Sequence, residues 1–404
     1  MDDAQFATLA AWIAEAGLAG ETETEMVTGF CTRAIALGLP LARASVFIDT
    51  LHPIYEGRLF SWHAAAGETK LSEYESSSVG EASEKWRRSP FYRLVQTGEP
   101  SLRRRLSTES EVEFPALADM SALGMTDYVA IVNRFTADGI IGEMDCVYSS
   151  WVTNVPQGFR DADVADLRRL VPLLALAVKS ASLARIARTL VETYLGRDAG
   201  RRVLSGRIAR GVADRIETVL WFSDLRGYTR ITDTAAPGQI IPLLNDYAEA
   251  IISAIHAEGG EVLKLMGDGT LAIFTAGDRE EACRAALAAA RRAHRSVVEL
   301  NRRRVAASLP VTDIYLGLHL GEVFYGNVGS KERLDFTVVG PAVNEASRIA
   351  GLCRSVERPV LLSAAFASAA GEARSRLVSV GRYALRGVGR AQELFTLDPD
   401  QDFP

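Results

Sequence analysis

A chain of 404 residues is longer than one ordinary core requires and suits two domains. Apolar residues make up 48% and charged residues 24%, a globular balance that excludes disorder, collagen-like repeats and mucin-like stalks. The net charge of −6 divides unevenly: residues 1–200 hold 19 Lys+Arg against 27 Asp+Glu, and residues 201–404 hold 26 against 24, so the acidic front half is a poor nucleic-acid binder.

The start, Met1-Asp2-Asp3-Ala4-Gln5, lacks the basic-then-apolar pattern of a secretion signal. Residues 1–150 read as α+β. Helical periodicity covers 5–19 and 23–37, and strands are expected at 44–49 and 58–63 around the turn Leu51-His52-Pro53. The polar stretch 67–89 reads as loop and 91–97 as a short helix ended by Gly98. The run Arg103-Arg104-Arg105 reads as a solvated loop, and 128–135 with 141–148 as a hairpin across Thr136-Ala137-Asp138-Gly139. Four of the five tryptophans lie in this half, available to line a ligand pocket or to pack a core.

A long helical segment follows. Val164, Leu167, Val171, Leu174 and Val178 step three-four-three-four, the spacing of a coiled-coil seam, which slips and resumes at Leu183, Ile186 and Leu190. Pro172 is expected to loosen one turn. Such a helix either covers its own domain or pairs with a second copy and transmits a signal. The longest apolar run, 170–178, falls far short of the ~20 residues that span a bilayer, so the expectation is a cytoplasmic protein without a membrane span. Residues 196–211, rich in Gly and Arg, read as linker.

From Thr218 strands alternate with helices: strand 218–223, helix 238–257, strands 261–266 and 270–274, helix 279–303, a hairpin of 311–320 and 323–328, helix 343–352 and a closing strand 392–397. The four cysteines form no CxxC, so neither a disulfide framework nor a zinc site is expected. The domain division is therefore 1–158, 159–211 and 212–404.

Chemistry concentrates in the last of these. Asp224 ends the apolar run Val219-Leu220-Trp221-Phe222, and Asp268 sits in Gly267-Asp268-Gly269. A carboxylate at a strand end beside a glycine turn suits Mg²⁺, which takes few protein oxygens and completes its shell with water and phosphate. Each Asp also reads simply as a turn residue. The Gly227 turn offers backbone N–H groups to a triphosphate. Asn344 and Arg348, spaced i,i+4, share a helix face; they suit a sugar oxygen and a charged phosphorus oxygen, or make up a plain polar face. Lys264 is the one charge among Val262, Leu263, Leu265 and Met266, and Thr337 lies between Phe336 and Val338. A lysine donating to a ring N1 acceptor and a threonine accepting from an exocyclic amine would read adenine.

These residues have a familiar arrangement. Phe222-Ser223-Asp224-Leu225-Arg226-Gly227-Tyr228-Thr229, Leu265-Met266-Gly267-Asp268-Gly269, Gly317-Leu318-His319-Leu320-Gly321-Glu322-Val323 with Gly326-Asn327-Val328-Gly329, and Val343-Asn344-Glu345-Ala346-Ser347-Arg348 resemble the class III nucleotidyl cyclase catalytic domain from about Thr218 to Leu397. The resemblance implies a ferredoxin-like (βαββαβ) domain acting as a head-to-tail homodimer. It implies two Mg²⁺ or Mn²⁺ ions on Asp224, Asp268 and the Leu225 carbonyl, with Gly227, Tyr228 and Thr229 near the phosphates of ATP. Lys264, Thr337, Asn344 and Arg348 match base-selecting and transition-state residues contributed by the other chain, Thr337 as in the Lys/Thr subgroup of adenylyl cyclases. Pro341 replaces a more usual Asp or Asn, and Arg386 or Arg390 stands in for the family's phosphate-binding lysine; Arg386 is the choice carried forward. The front half resembles, more loosely, a GAF-type sensor, on its strand pairs and on Gly158-Phe159-Arg160-Asp161-Ala162-Asp163 leading into the exit helix. The expectation is an adenylyl cyclase regulated by a small-molecule ligand of the N-terminal domain, with no nucleic-acid or membrane partner. The alternatives are a guanylyl cyclase and a non-catalytic dimeric nucleotide sensor.

Overall fold

Two capping boxes open the chain: Asp2 with Gln5 starts α1 (Asp3–Ala19), and Thr22 with Glu25 starts α2 (Glu23–Ala36), each pair capping the other's backbone. The computed structural model describes residues 1–75, 80–106, 113–136, 140–142 and 144–398. It divides into two units, Met1–Leu190 and Val191–Pro404.

The first unit is built on β1 (Arg43–Asp49), β2 (Gly57–His63), β3 (Thr69–Tyr74), α3 (Gly80–Arg87), α4 (Pro90–Thr97), β4 (Ser101–Arg105), α5 (Pro115–Ala122), β5 (Asp127–Arg134) and β6 (Cys146–Thr153). The six strands pair antiparallel in the order β3-β2-β1-β6-β5-β4. Alternation sorts the side chains: Val46, Ile48, Trp62 and Trp151 enter a core with α1 and α2, while Phe47, Tyr128 and Tyr148 meet α4 and α5 on the other face. Trp62 and Trp151, 2% and 0% exposed, are therefore packing residues.

Several expectations for this unit are corrected. The stretch expected as loop holds β3 and α3, and the Arg103-Arg104-Arg105 run is strand β4, anchored where Arg103 pairs with the buried Asp127 at 2.7 Å. The second hairpin strand lies at Cys146–Thr153, several residues later than expected, because β6 is buried along its whole length and shows no alternation. Residues Ala137, Asp138 and Gly139 of the expected turn lie outside the described residues.

Helix α6 (Asp161–Leu195) runs through Pro172 as one element. Its seam residues Val164, Leu167, Val171, Leu174 and Val178 are all buried in the core of the first unit, so the seam covers its own domain. By length and composition α6 could cross a membrane, but buried core helices meet the same criteria and this is weak evidence for a span.

The second unit contains α7 (Arg197–Leu204), β7 (Ala213–Leu225), α8 (Tyr228–Thr234), α9 (Pro237–Ala257), β8 (Glu261–Met266), β9 (Gly269–Phe274), α10 (Arg279–Ala306), β10 (Ile314–Gly329), β11 (Leu334–Val339), α11 (Pro341–Val356), β12 (Val360–Ser363), α12 (Ala364–Ala369), a 3-10 segment, β13 (Leu377–Tyr383) and β14 (Gln392–Leu397). The sheet order is β13-β14-β12-β10-β7-β9-β8, with β11 pairing β10. Val219 and Trp221 of β7 face α9 and α10; Leu220, between them, faces α11 and α7. The stretch expected as linker thus holds a helix whose Ala199 is buried against the sheet. The expected hairpin at 311–328 is a single strand, β10, which pairs with β7 from Ile314↔Leu225 to Gly326↔Ala213. Gly317 lets α11 cross it: a Cβ there would lie 2.6 Å from the Ala350 nitrogen and 2.7 Å from the Ala346 oxygen.

Candidate active site

Strand register explains how Asp224 and Asp268 meet. Ser223 pairs with Thr270, so Asp224 is one step beyond, beside the turn joining β8 to β9. Met266 pairs with Gly269, leaving Gly267 and Asp268 as a two-residue loop. Gly267 takes φ of +66° at the first loop position, where glycine is favoured; the turn is thus Gly-Asp, not Asp-Gly.

The two carboxyls come within hydrogen-bonding reach. Asp224 is raised from the usual carboxylate range to about 6, first by lost hydration and then by the hydrogen bond and negative charge of Asp268; the Leu225 N–H, which donates to Asp224 Oδ1 at 3.1 Å, opposes the shift. Two acids that cannot both ionise cheaply form a ready site for a divalent cation. Among the described residues no cluster of three or more His, Cys, Asp or Glu converges for a metal. A cation on this pair would fill its shell from backbone carbonyls, water and phosphate, the habit of Mg²⁺ rather than of zinc. The donor set fits.

Beyond Leu225, Gly227 turns with φ of +68° into α8. Gly227 and Thr229 line a cavity of about 1260 Å³ with Arg226, Arg230, Tyr315 and Arg354. Tyr228 instead packs against the core shared with α9 and α10. Asp268 borders a separate recess of about 190 Å³ lined by Ile241, Leu244 and Leu265.

Lys264 is exposed rather than buried, and its ammonium donates to the Asp335 carboxylate on β11. Thr337 lies two residues along that strand, opposite Gly326, with Phe336 and Val338 turned into the core. Asn344 and Arg348 sit on α11, which starts with Pro341 in its first turn, where a missing N–H costs nothing. Asn344 is exposed and Arg348 half-buried. The turn after β13 comes close to Arg348: a Cβ on Gly387, the residue after the exposed Arg386, would lie 3.4 Å from its guanidinium.

The structure thus joins Asp224 to Asp268, Lys264 to Asp335 and Arg348 to the turn carrying Arg386. Among the described residues no recorded hydrogen bond or ion pair links these three groups to one another. Two residues escaped the sequence reading. Asp335 shares a strand face with Thr337, a two-residue spacing that could have revealed it. Glu345, accepting from Gln392 on β14 at 2.9 Å, ties α11 down and gave no local signal.

Comparison with known proteins bears on the second unit. Residues 212–398 match the family described as adenylate and guanylate cyclase catalytic domain. An adenylate cyclase of Anabaena cylindrica is 34% identical over 153 residues, 38% of this chain and 30% of that protein. Adenylate cyclase 1 of Rhizobium meliloti is 30% identical over 178 residues, 43% of this chain and 26% of that protein. The matched stretch spans no more than about a third of these relatives. Among solved structures, the adenylyl cyclase CyaB from P. aeruginosa aligns at 22% identity and a TM-score of 0.44, covering 48% of this chain and 99% of that one. The family match and the two relatives support an adenylyl/guanylyl cyclase catalytic domain over residues 212–398.

Proposed function

We propose that this cyclase domain is an adenylyl cyclase, converting ATP to 3′,5′-cyclic AMP and pyrophosphate in a homodimer under control of the N-terminal unit. The observation that carries the reading is the Asp224–Asp268 pair, with Asp224 raised to about 6. The order β10-β7-β9-β8 with α9 and α10 on one face is what a ferredoxin-like cyclase core requires, and supports it.

Asp224, Asp268 and the Leu225 carbonyl would hold two Mg²⁺ or Mn²⁺ ions. Bound there, the ions supply Lewis-acid neutralisation of the triphosphate and lower the pKa of the ribose 3′-hydroxyl. The 3′-oxygen forms a bond to the α-phosphorus, the bond to the bridging oxygen of the β-phosphate breaks, and pyrophosphate carries away that electron pair. Among the described residues no side chain is an obvious base for the hydroxyl proton, which passes to solvent. Gly227, Tyr228 and Thr229 flank the phosphates, and Arg386 meets their outer charge. Asn344 orients the ribose, and Arg348 balances charge that develops on phosphorus oxygens. Lys264 and Thr337 read the adenine edge. Three separate residue groups within one chain suit an active site that two chains complete.

For the N-terminal unit we propose a GAF-like sensor of a small molecule over residues 1–158, joined to catalysis by residues 159–211. Its six-stranded antiparallel sheet, with α1, α2 and α6 on one face and α4 and α5 on the other, supports that reading.

The test is turnover of the full chain with ATP and with GTP, each with Mn²⁺, beside the fragment from Gly196, which keeps α7 whole. Cyclic AMP from ATP alone is expected, with a rate difference between the two proteins. Cyclic GMP from GTP would make the protein a guanylyl cyclase. Nucleotide binding without product would make it a sensor.

A further inference from the structure

The Lys264–Asp335 pair is half open to water, the two side chains being 43% and 40% exposed. A pair so exposed contributes little to folding. Its consequence lies in the hydrogen-bonding groups that β8 and β11 present. Alternation puts Asp335 and Thr337 on one face of β11, with Phe336 and Val338, 4% and 3% exposed, in the core behind them. The two strands thus offer an ammonium, a carboxylate and a hydroxyl.

Purine edges answer these groups differently. Adenine presents the N1 acceptor and one amine donor. Guanine presents the O6 acceptor and two adjacent donors, N1–H and the 2-amino group, which a free carboxylate can engage together. A carboxylate already holding an ammonium has given up much of that capacity. An ammonium already holding a carboxylate stays charged and fixed when a base excludes water, where an unpaired one would be costly.

We propose that Asp335 is a further purine-specificity residue. It positions Lys264 for an adenine acceptor, and Lys264 in turn withholds the Asp335 carboxylate from guanine. The proposal rests on the reading of this domain as an adenine-selective cyclase. It adds that selectivity lies in the bond between the two side chains, so that removing Lys264 alone leaves a guanine-reading acid behind.

The experiment uses the full chain, with turnover of ATP and GTP under Mn²⁺ and, in parallel, displacement of a fluorescent ATP analogue by each nucleotide. Asp335→Asn is expected to raise the KM for ATP on the order of tenfold, the effect of one charge-assisted hydrogen bond, with a smaller change in kcat, and Asp335→Glu to restore it. Lys264→Met is expected to move the ATP:GTP preference toward GTP by about tenfold or more, and the double variant K264M/D335N to lose that shift. The reversal on adding the second substitution separates specificity from damage to the fold. Equal ratios in Lys264→Met and the double variant, with a wild-type KM in Asp335→Asn, overturn the proposal. Failure of the adenylyl cyclase reading is visible separately, in wild-type protein that makes no cyclic AMP; the displacement ratios then still decide the role of Asp335.

Discussion

The Asp224 carboxyl at the end of β7 lies against the Asp268 carboxyl of the β8–β9 turn, whose negative charge helps push Asp224 up, with no cationic side chain opposing it. Strand register brings them there, through Ser223↔Thr270 and Met266↔Gly269.

In metal-free protein this contact has a definite pH signature. The folded pKa of Asp224, about 6, lies above its ordinary 3.8. The folded state therefore holds a proton that the unfolded state releases, and this group's effect on stability becomes less favourable as pH rises from ~4 to ~6. A cation relieves the repulsion only where both acids are ionised. Mn²⁺ should raise the melting temperature by about a few degrees at pH 8 and little at pH 5. An equal shift at both values, or one retained by Asp224→Asn, would count against the metal assignment.

Removing either acid should abolish metal-dependent turnover, so Asp224→Ala and Asp268→Ala are expected to fall to background. Arg348→Ala should lose ~10²–10³ in kcat, the usual effect of deleting a group aimed at transition-state charge. Near-wild-type rates in a folded variant, checked by circular dichroism, would remove that residue from the proposed mechanism.

Gly317→Ala should destabilise the second unit by ~1–3 kcal/mol, because its methyl would be forced against the α11 backbone. Urea unfolding measures this. A neutral result would mean that α11 can retreat from β10 at no cost.

Glu23, 4% exposed, accepts a hydrogen bond from Ser182 at 2.8 Å and pairs with Arg185, both on α6. Glu23→Ala leaves the buried Ser182 hydroxyl without this acceptor and Arg185 without this carboxylate, and should cost the first unit ~1–3 kcal/mol. The expected readout is a lower first transition in thermal unfolding with the second unchanged; a single unchanged profile would show that the cluster is not holding α6.

The motifs of the candidate site could be placed in the sequence without exact element boundaries: Asp224, Asp268, Asn344 and Arg348 each stand in a short run that can be located whatever the errors around it. The misread elements failed for identifiable reasons. The expected hairpin broke at 321–322, but glycine stands at 321 because a Cβ would lie 2.7 Å from the Ala342 Cβ and 2.9 Å from His319 Nε2, and β10 continues through it. Strands β3 and β4 lie at the two edges of their sheet and carry polar side chains, which erases the alternation that marks a half-buried strand. The α6 seam was visible, but a three-four spacing is equally served by a sheet and by a partner helix, and here the sheet takes it. Asp335 was missed because its significance lies in a partner on another strand.

The unbroken run of β10 sets a limit on how this protein can vary. The strand fixes Tyr315 opposite Asp224 at one end and Gly326 opposite Thr337 at the other. Inserting or deleting one residue between those points would shift one end by about 3.3 Å relative to the other and turn the following side chains to the opposite face. The middle of β10 therefore tolerates substitution far better than a change of length.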